Sequence, residues 1–182
     1  MKNVLKILLV ILVSFSLNSC EEAESLLDVS FNSQLSADLN VNVPAAGVKK
    51  SAEMLDVSFL GQATINPRAD SNIDKYFDKL KSVDVQGVTG RVVNVSAPVK
   101  IVTGTISVFE GSNIASWTVN NFDVVNGASI TLDNSDGQWD KINSIIHNKR
   151  TFTAKIEGTV DRDDVSFTIS ITISFKGVAN PL

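Results

Sequence analysis

The sequence predicts a mainly β protein, an antiparallel sandwich or partly closed barrel of about eight strands with two short helices. Three observations carry this. Long stretches alternate apolar with Ser, Thr or Asn; turn residues divide them at regular intervals; and only two stretches carry apolar residues at helical spacing. Period-two alternation is the signature of a strand with one face on a core and the other in water.

The first strand is read from Asp28, where Val29, Phe31, Leu35, Ala37, Leu39, Val41 and Val43 fall on odd positions with polar residues between them. Pro44 to Gly47 and Lys49 to Ser51 form a loop. Leu55, Val57, Phe59, Ala63 and Ile65 restore the alternation, with Gly61 as a bulge or bend. The first two strands are expected to form a long hairpin. Asn66 and Pro67 stop the second, and Ser71-Asn72-Ile73-Asp74 has the form of a capping box. Ile73, Tyr76, Phe77 and Leu80 then predict a short helix over about 72–80.

Val83, Val85, Val88, Val92, Val93 and Val95 mark a third strand, broken or bulged near Gly87 and Gly90. Neither glycine precedes a Gly-Lys-Ser/Thr, so neither belongs to a phosphate loop. After the Ala97-Pro98 turn, Val99 and Ile101 lie on odd positions and Ile106 and Val108 on even ones, which predicts a bulge around Gly104. Glu110-Gly111-Ser112-Asn113 is hairpin-turn chemistry. Ala115, Trp117 and Val119 begin a fifth strand, Asn120-Asn121 reads as a turn, and Phe122 to Leu132 as a sixth strand interrupted by Asn126-Gly127. Ser135-Asp136-Gly137-Gln138 is a second capping box, and Trp139, Ile142, Ile145 and Ile146 give the second helix its apolar face. The last two strands are Phe152 to Val160 and Val165 to Phe175, joined by the polar loop Asp161-Arg162-Asp163-Asp164 as a hairpin.

Both halves of the chain read strand, strand, helix, strand, strand. An internal ββαββ repeat would set Asp74-Lys75 beside Asp140-Lys141 and Val88-Thr89-Gly90-Arg91-Val92 beside Ile156-Glu157-Gly158-Thr159-Val160.

The N-terminus is different in kind. Lys2 and Lys6 precede an unbroken apolar run from Ile7 to Val13, continued by Phe15 and Leu17. That is the pattern of a secretory signal, too short to cross a bilayer comfortably. It ends in Leu17-Asn18-Ser19-Cys20, and Cys20 is the single cysteine of the 182-residue chain. The tetrapeptide resembles the lipobox of bacterial lipoproteins. The resemblance implies a diacylglycerol thioether on Cys20, cleavage before it, and usually acylation of the new amine; Asn18 is a less usual choice at its position. Glu21, Glu22 and Glu24 are similar to the acidic export signal with which Bacteroidota send lipoproteins to the outer face of the outer membrane. Their alternative reading is a solvated tether. As a whole the chain is similar to the small β-rich lipoproteins of flavobacteria and their relatives. This resemblance rests on the lipobox, the acids behind it and general texture, and it carries a location and no activity.

The implied organisation is a removed signal peptide over residues 1–19, a lipidated tether over 20–27 and a single β-rich domain over 28–182. The leader takes Lys2 and Lys6 with it, leaving 163 residues with 14 basic and 20 acidic side chains. Nucleic-acid binding leaves a basic footprint, so this balance points away from it. With Cys20 committed to lipid, no thiol remains for a disulfide, a metal or catalysis.

Few residues invite a chemical role. His147, the only histidine, falls at the end of the second helix, where a cation is favourable in itself. Asp133 to Gly137 has a calcium-loop flavour, but placing Gly137 at the sixth position puts Leu132 at the first, and capping explains the stretch better. Asp161, Asp163 and Asp164 are weak candidates for a hard cation, with a solvated loop tip as the bland alternative. Trp117 and Trp139 read as core. No cofactor or catalytic set is expected. The functional expectation is a non-enzymatic binding or structural module on the outer membrane, with a protein, glycan or lipid as ligand. Carriage of a hydrophobic ligand inside the β domain is the alternative, and a hydrolase comes third.

Overall fold

The computed structural model describes residues 28–45 and 56–180. Its elements are β1 (Val29–Val43), β2 (Val57–Ile65), a single 3-10 turn (Pro67–Ala69), α1 (Ser71–Phe77), β3 (Leu80–Val93), β4 (Val99–Glu110), β5 (Asn113–Val124), β6 (Ser129–Thr131), α2 (Gln138–His147), β7 (Phe152–Val160) and β8 (Val165–Ala179). The strands form two four-stranded antiparallel sheets in the orders β1-β8-β3-β6 and β2-β7-β4-β5. This is a sandwich and not a closed barrel.

Alternation builds it. The odd residues of β1 and β8 and the even residues of β7 point between the sheets, where Leu39, Ile101, Ile106, Ile156, Ile169, Ile171 and Ile173 have no solvent exposure. Phe59 of β2 meets Phe167 of β8 edge-on across the core at 5.8 Å between ring centres. The outer face of the β1/β8 pair carries a ladder of polar partners. Gln34 donates to Ser174 (3.2 Å), Ser36 and Thr172 share a bond (3.3 Å), Ser170 donates to Asp38, and Thr168 donates to Asn40 (2.9 Å). Such cross-strand pairs help fix the register of two 15-residue strands.

Strand pairing corrects the expected hairpins. β1 does not pair with β2; it pairs with β8 from Val29↔Ala179 to Val43↔Val165, while β2 pairs with β7. The Asp161–Asp164 segment likewise carries the chain from one sheet to the other. The β4–β5 connection, with Gly111 at φ 57°, is the only sequential hairpin among the described residues. Alternation says which face of a strand is buried and nothing about its neighbour, so consecutive strands of equal parity suggested pairs that do not exist. Gly61 is also no bulge: the β2–β7 register runs through it unbroken. A Cβ there would lie 2.9 Å from Val41 Cγ2 and 3.0 Å from the Asn40 carbonyl oxygen, so the glycine lets β2 cross close over β1.

Other boundaries shift for identifiable reasons. The β3 register slips between Val85 and Gly87, as foreseen, but runs straight through Gly90. The β4 bulge falls between Ile101 and Thr103, just before Gly104. Asn120-Asn121 does not end β5, because Asn121 takes the left-handed φ of 49° opposite that bulge and the strand continues to Val124. α1 starts at Ser71, its Ile73 and Asp74 N–H groups bonding the Asp70 carbonyl (3.1 and 2.8 Å). Ser71 is therefore inside the helix rather than capping it, and Leu80 opens β3. At α2 the residue before the first turn is Gly137, which supplies no side chain. Asn134 Oδ1 instead accepts from the Trp139 N–H (2.8 Å), and the Ser135 hydroxyl turns to Asp133 (2.8 Å).

Candidate functional site

The strand directions sort the connections by end. The links β3–β4, β5–β6 and β7–β8 arch from one sheet to the other at one end of the sandwich, the end at which β1 finishes and β2 begins. The helices, the β4–β5 hairpin and both ends of the domain lie at the other. Three arches lie wholly within the described residues: 94–98, 125–128 and 161–164. They are tied to one another and to the strands beneath. The Val95 N–H donates to Asn126 Oδ1 (3.1 Å), the Ser96 N–H to the Ser166 carbonyl (2.9 Å), and the Ser166 N–H back to the Ser96 hydroxyl (2.8 Å). The Asp161 N–H donates to the Lys100 carbonyl (3.0 Å), the Lys100 N–H to Asp161 Oδ1 (2.9 Å), and Arg162 Nη1 to the Pro98 carbonyl (3.1 Å). Backbone groups so engaged hold loops in one shape, which makes these three arches a preformed surface. Its relief is shallow: Val95, Ala97, Pro98, Val125 and Asn126 line a groove of about 160 Å³, with Val125 48% exposed.

The predicted residues distribute as follows. Cys20 lies outside the described residues, as do the tether acids Glu21, Glu22 and Glu24. Asp161, Asp163 and Asp164 sit together in sequence on the 161–164 arch, but the Asp161 carboxylate is spent on the Lys100 N–H, and Asp164 has a left-handed φ of 52°. Among the described residues no group of three His, Cys, Asp or Glu side chains is placed to hold a metal ion. Asp133 accepts from both the Ser135 N–H (3.3 Å) and its hydroxyl, a local turn rather than a calcium loop. His147 is exposed at the last residue of α2. Trp117 is buried and Trp139 half-buried, and their indole N–H groups donate to the adjacent carbonyls of Asp133 (2.7 Å) and Leu132 (3.0 Å), pinning the link from β6 to α2.

No family is decided by comparison. Neither protein-family models nor curated proteins match this chain.

At the helix end the chain enters the domain. Asp28 pairs with Lys81 (2.8 Å), Val29 faces Ala179 across the β1/β8 ladder, and the Asn180 N–H donates to the Lys79 carbonyl (3.1 Å). Next to these lies the most connected charge cluster, in which Arg68 bonds both Asp74 (3.2 Å) and Asp78 and lies 4.9 Å from the centre of the Phe77 ring. The Arg68 hydrogen bond holds the Asp78 carboxyl below its ordinary range, and the Asp78 and Asp74 bonds hold the Arg68 guanidinium above its own. No helix among the described residues is long and apolar enough to cross a membrane. What sequence reasoning missed is the assembly of the arches: Asp161 to Asp164 stood out as one loop, and the alternation of the chain between two sheets brings that loop together with 94–98 and 125–128.

Proposed function

We propose that this protein is a lipid-anchored lipoprotein of the cell envelope, a non-enzymatic binding or structural module held at the outer membrane through Cys20. The observation that carries the proposal is the lipobox Leu17-Asn18-Ser19-Cys20 at the end of the apolar leader, with the only cysteine of the chain at the position that is lipidated. Two further features support it. Residues 21–28 can span no more than about 30 Å when fully extended, so a bilayer-bound Cys20 keeps the helix end near the headgroups and leaves the arch end facing away. The space between the sheets is filled by aliphatic and aromatic side chains, which favours recognition at the surface over carriage of a hydrophobic ligand inside.

The test is metabolic labelling with palmitate. Label is expected in the natural chain, with Cys20→Ala losing both label and membrane association; a Cys20→Ala protein that remains in the membrane fraction overturns the proposal.

A further inference from the structure

The fold maps onto itself. Replacing β1, β2, α1, β3 and β4 by β5, β6, α2, β7 and β8, and the reverse, turns the sheet order β1-β8-β3-β6 into β5-β4-β7-β2, which is the second sheet read backwards. Every connection follows: arches stay arches, each helix stays between its second and third strands, and the β4–β5 hairpin takes the place where Ala179 meets Val29.

Between the bulges, one set of shifts carries the facing pairs of each ladder onto those of its counterpart and keeps inward residues inward. In the β3–β8 ladder Val88 faces Ile173, Thr89 faces Thr172 and Gly90 faces Ile171; in the β7–β4 ladder Ile156 faces Ile106, Glu157 faces Thr105 and Gly158 faces Gly104. One shift of 68 positions takes β3 onto β7 and one of 67 takes β4 onto β8. A shift of 82 then takes β1 onto β5: Leu35↔Ile173 becomes Trp117↔Ile106, and Asp38↔Ser170 becomes Asn120↔Thr103. A shift of 71 takes β2 onto β6, so that Ser58↔Thr159, Phe59↔Gly158 and Leu60↔Glu157 become Ser129↔Arg91, Ile130↔Gly90 and Thr131↔Thr89. Of the segments that the sequence aligned, 88–91 lie over 156–159 in the ladders; at the next step the β4 bulge breaks the match, since Val92 faces Ile169 and Val160 faces Ile101.

Sequence and surface agree. Thr105-Ile106-Ser107 lies over Thr172-Ile173-Ser174 under the β4/β8 shift. Gly90 and Gly158 occupy the same place, and at both an added Cβ would press on the neighbouring strand: on Ile169 Cγ2 at 3.3 Å for Gly90, and on the Thr103 carbonyl for Gly158. Two edge grooves are also related. One, of about 320 Å³, is lined by Ser116, Trp117 and Thr118 with Ser135 and Asp136. The other, of about 530 Å³, is lined by Gln34, Leu35 and Ser36 with Ala69 and Asp70.

We infer that the sandwich is a fused pair of equivalent ββαββ units, residues 28–110 and 113–180, each the binding partner of the other across an internal two-fold axis, joined by Gly111-Ser112. Each unit gives two strands to each sheet, so neither sheet is complete without both units. The surface inherited from the unit is correspondingly present twice, as the paired grooves.

Circular permutation tests this on the whole chain. One variant keeps residues 1–27, continues with 112–180, crosses a short linker and ends with 28–111, so that the units change order but neither is cut. The control is opened between Arg162 and Asp163, inside the second unit, in the four-residue link between β7 and β8. The first is expected to melt within about 5 °C of the natural chain and the control at least about 15 °C lower. Equal losses, or a greater loss in the first variant, overturn the inference. A protease site placed at Gly111-Ser112 of the natural chain gives a second reading: after cleavage the two pieces are expected to stay together and to refold together from denaturant. Separation, or refolding no better than after cleavage at residues 162–163, contradicts it.

Discussion

The two sides of the sandwich, where an edge of one sheet approaches an edge of the other, are closed in different ways. On the β1/β2 side, β2 is nine residues long and crosses β1 with backbone against backbone at Gly61. On the β5/β6 side, β6 is only three residues long, and α2 fills the gap. Its Asn143 Oδ1 accepts from the Val85 N–H of β3 (2.8 Å), and its Gln138 Oε1 accepts from the Ser116 N–H of β5 (3.0 Å). Ile142, Ile145 and Ile146 are fully buried beneath it. An edge strand with unpaired N–H groups invites association with other chains, and both solutions remove that hazard. The difference teaches that a topology repeated in the two halves can be finished by a long strand and a glycine in one half and by a helix with two amides in the other.

The largest effect is expected where a helix replaces a strand. Ile145→Ala empties a fully buried site on α2 and should cost about 2–5 kcal/mol, read from urea midpoints. A loss below that range would mean that α2 covers the edge without closing the core. On the other side, Gly61→Ala drives a methyl against Val41 and the Asn40 carbonyl and should cost roughly 1–3 kcal/mol. If it is neutral, the close crossing of β2 over β1 is not what seals that side.

Asn143→Ala leaves the Val85 N–H without its acceptor and should cost about 1–3 kcal/mol, with a greater tendency to self-associate seen by light scattering. Unchanged stability and scattering would show the amide to be dispensable.

The smallest effect is expected away from both sides. Asp78→Asn removes an exposed partner of Arg68 and should move the melting temperature by less than about 2 °C at neutral pH. Because Arg68 lowers the Asp78 pKa in the folded state, the contribution of this pair is present above the ordinary carboxylate range and fades as the pH falls through the lowered value. The variant and the natural chain should therefore converge in acid, which parallel melts at neutral and low pH would show.

Much of this architecture was legible from single residues. Parity located the strands except at β5 and β6, where Phe122 to Val124 continue β5 and the expected sixth strand shrinks to Ser129–Thr131; the change of parity from Ile101 to Ile106 announced the β4 bulge, and Ile142, Ile145 and Ile146 marked the buried face of α2. What parity does not encode is the partner, so β1 looked like the other half of a hairpin with β2 when its partner is the last strand of the chain. Capping was misassigned at Ser71 and Ser135 because Asp70 and Asn134 compete for the same N–H groups one residue earlier. Gly61 read as a bulge or bend, since the strand pressing on it is remote in sequence. The sequence marked Asp161 and Asn126 only as parts of separate loops; that they and Val95 meet at one end follows from the crossing of the chain between the sheets. Cys20 is the reverse case, a motif read entirely from sequence and lying outside the described residues.

The most direct test of the lipid-anchor reading is the intact mass of the protein purified from the membranes of its own cells. The expected species begins at Cys20 and carries a diacylglycerol thioether together with an acylated amine. An unlipidated chain, whether it keeps residues 1–19 or has been cut elsewhere, would contradict it.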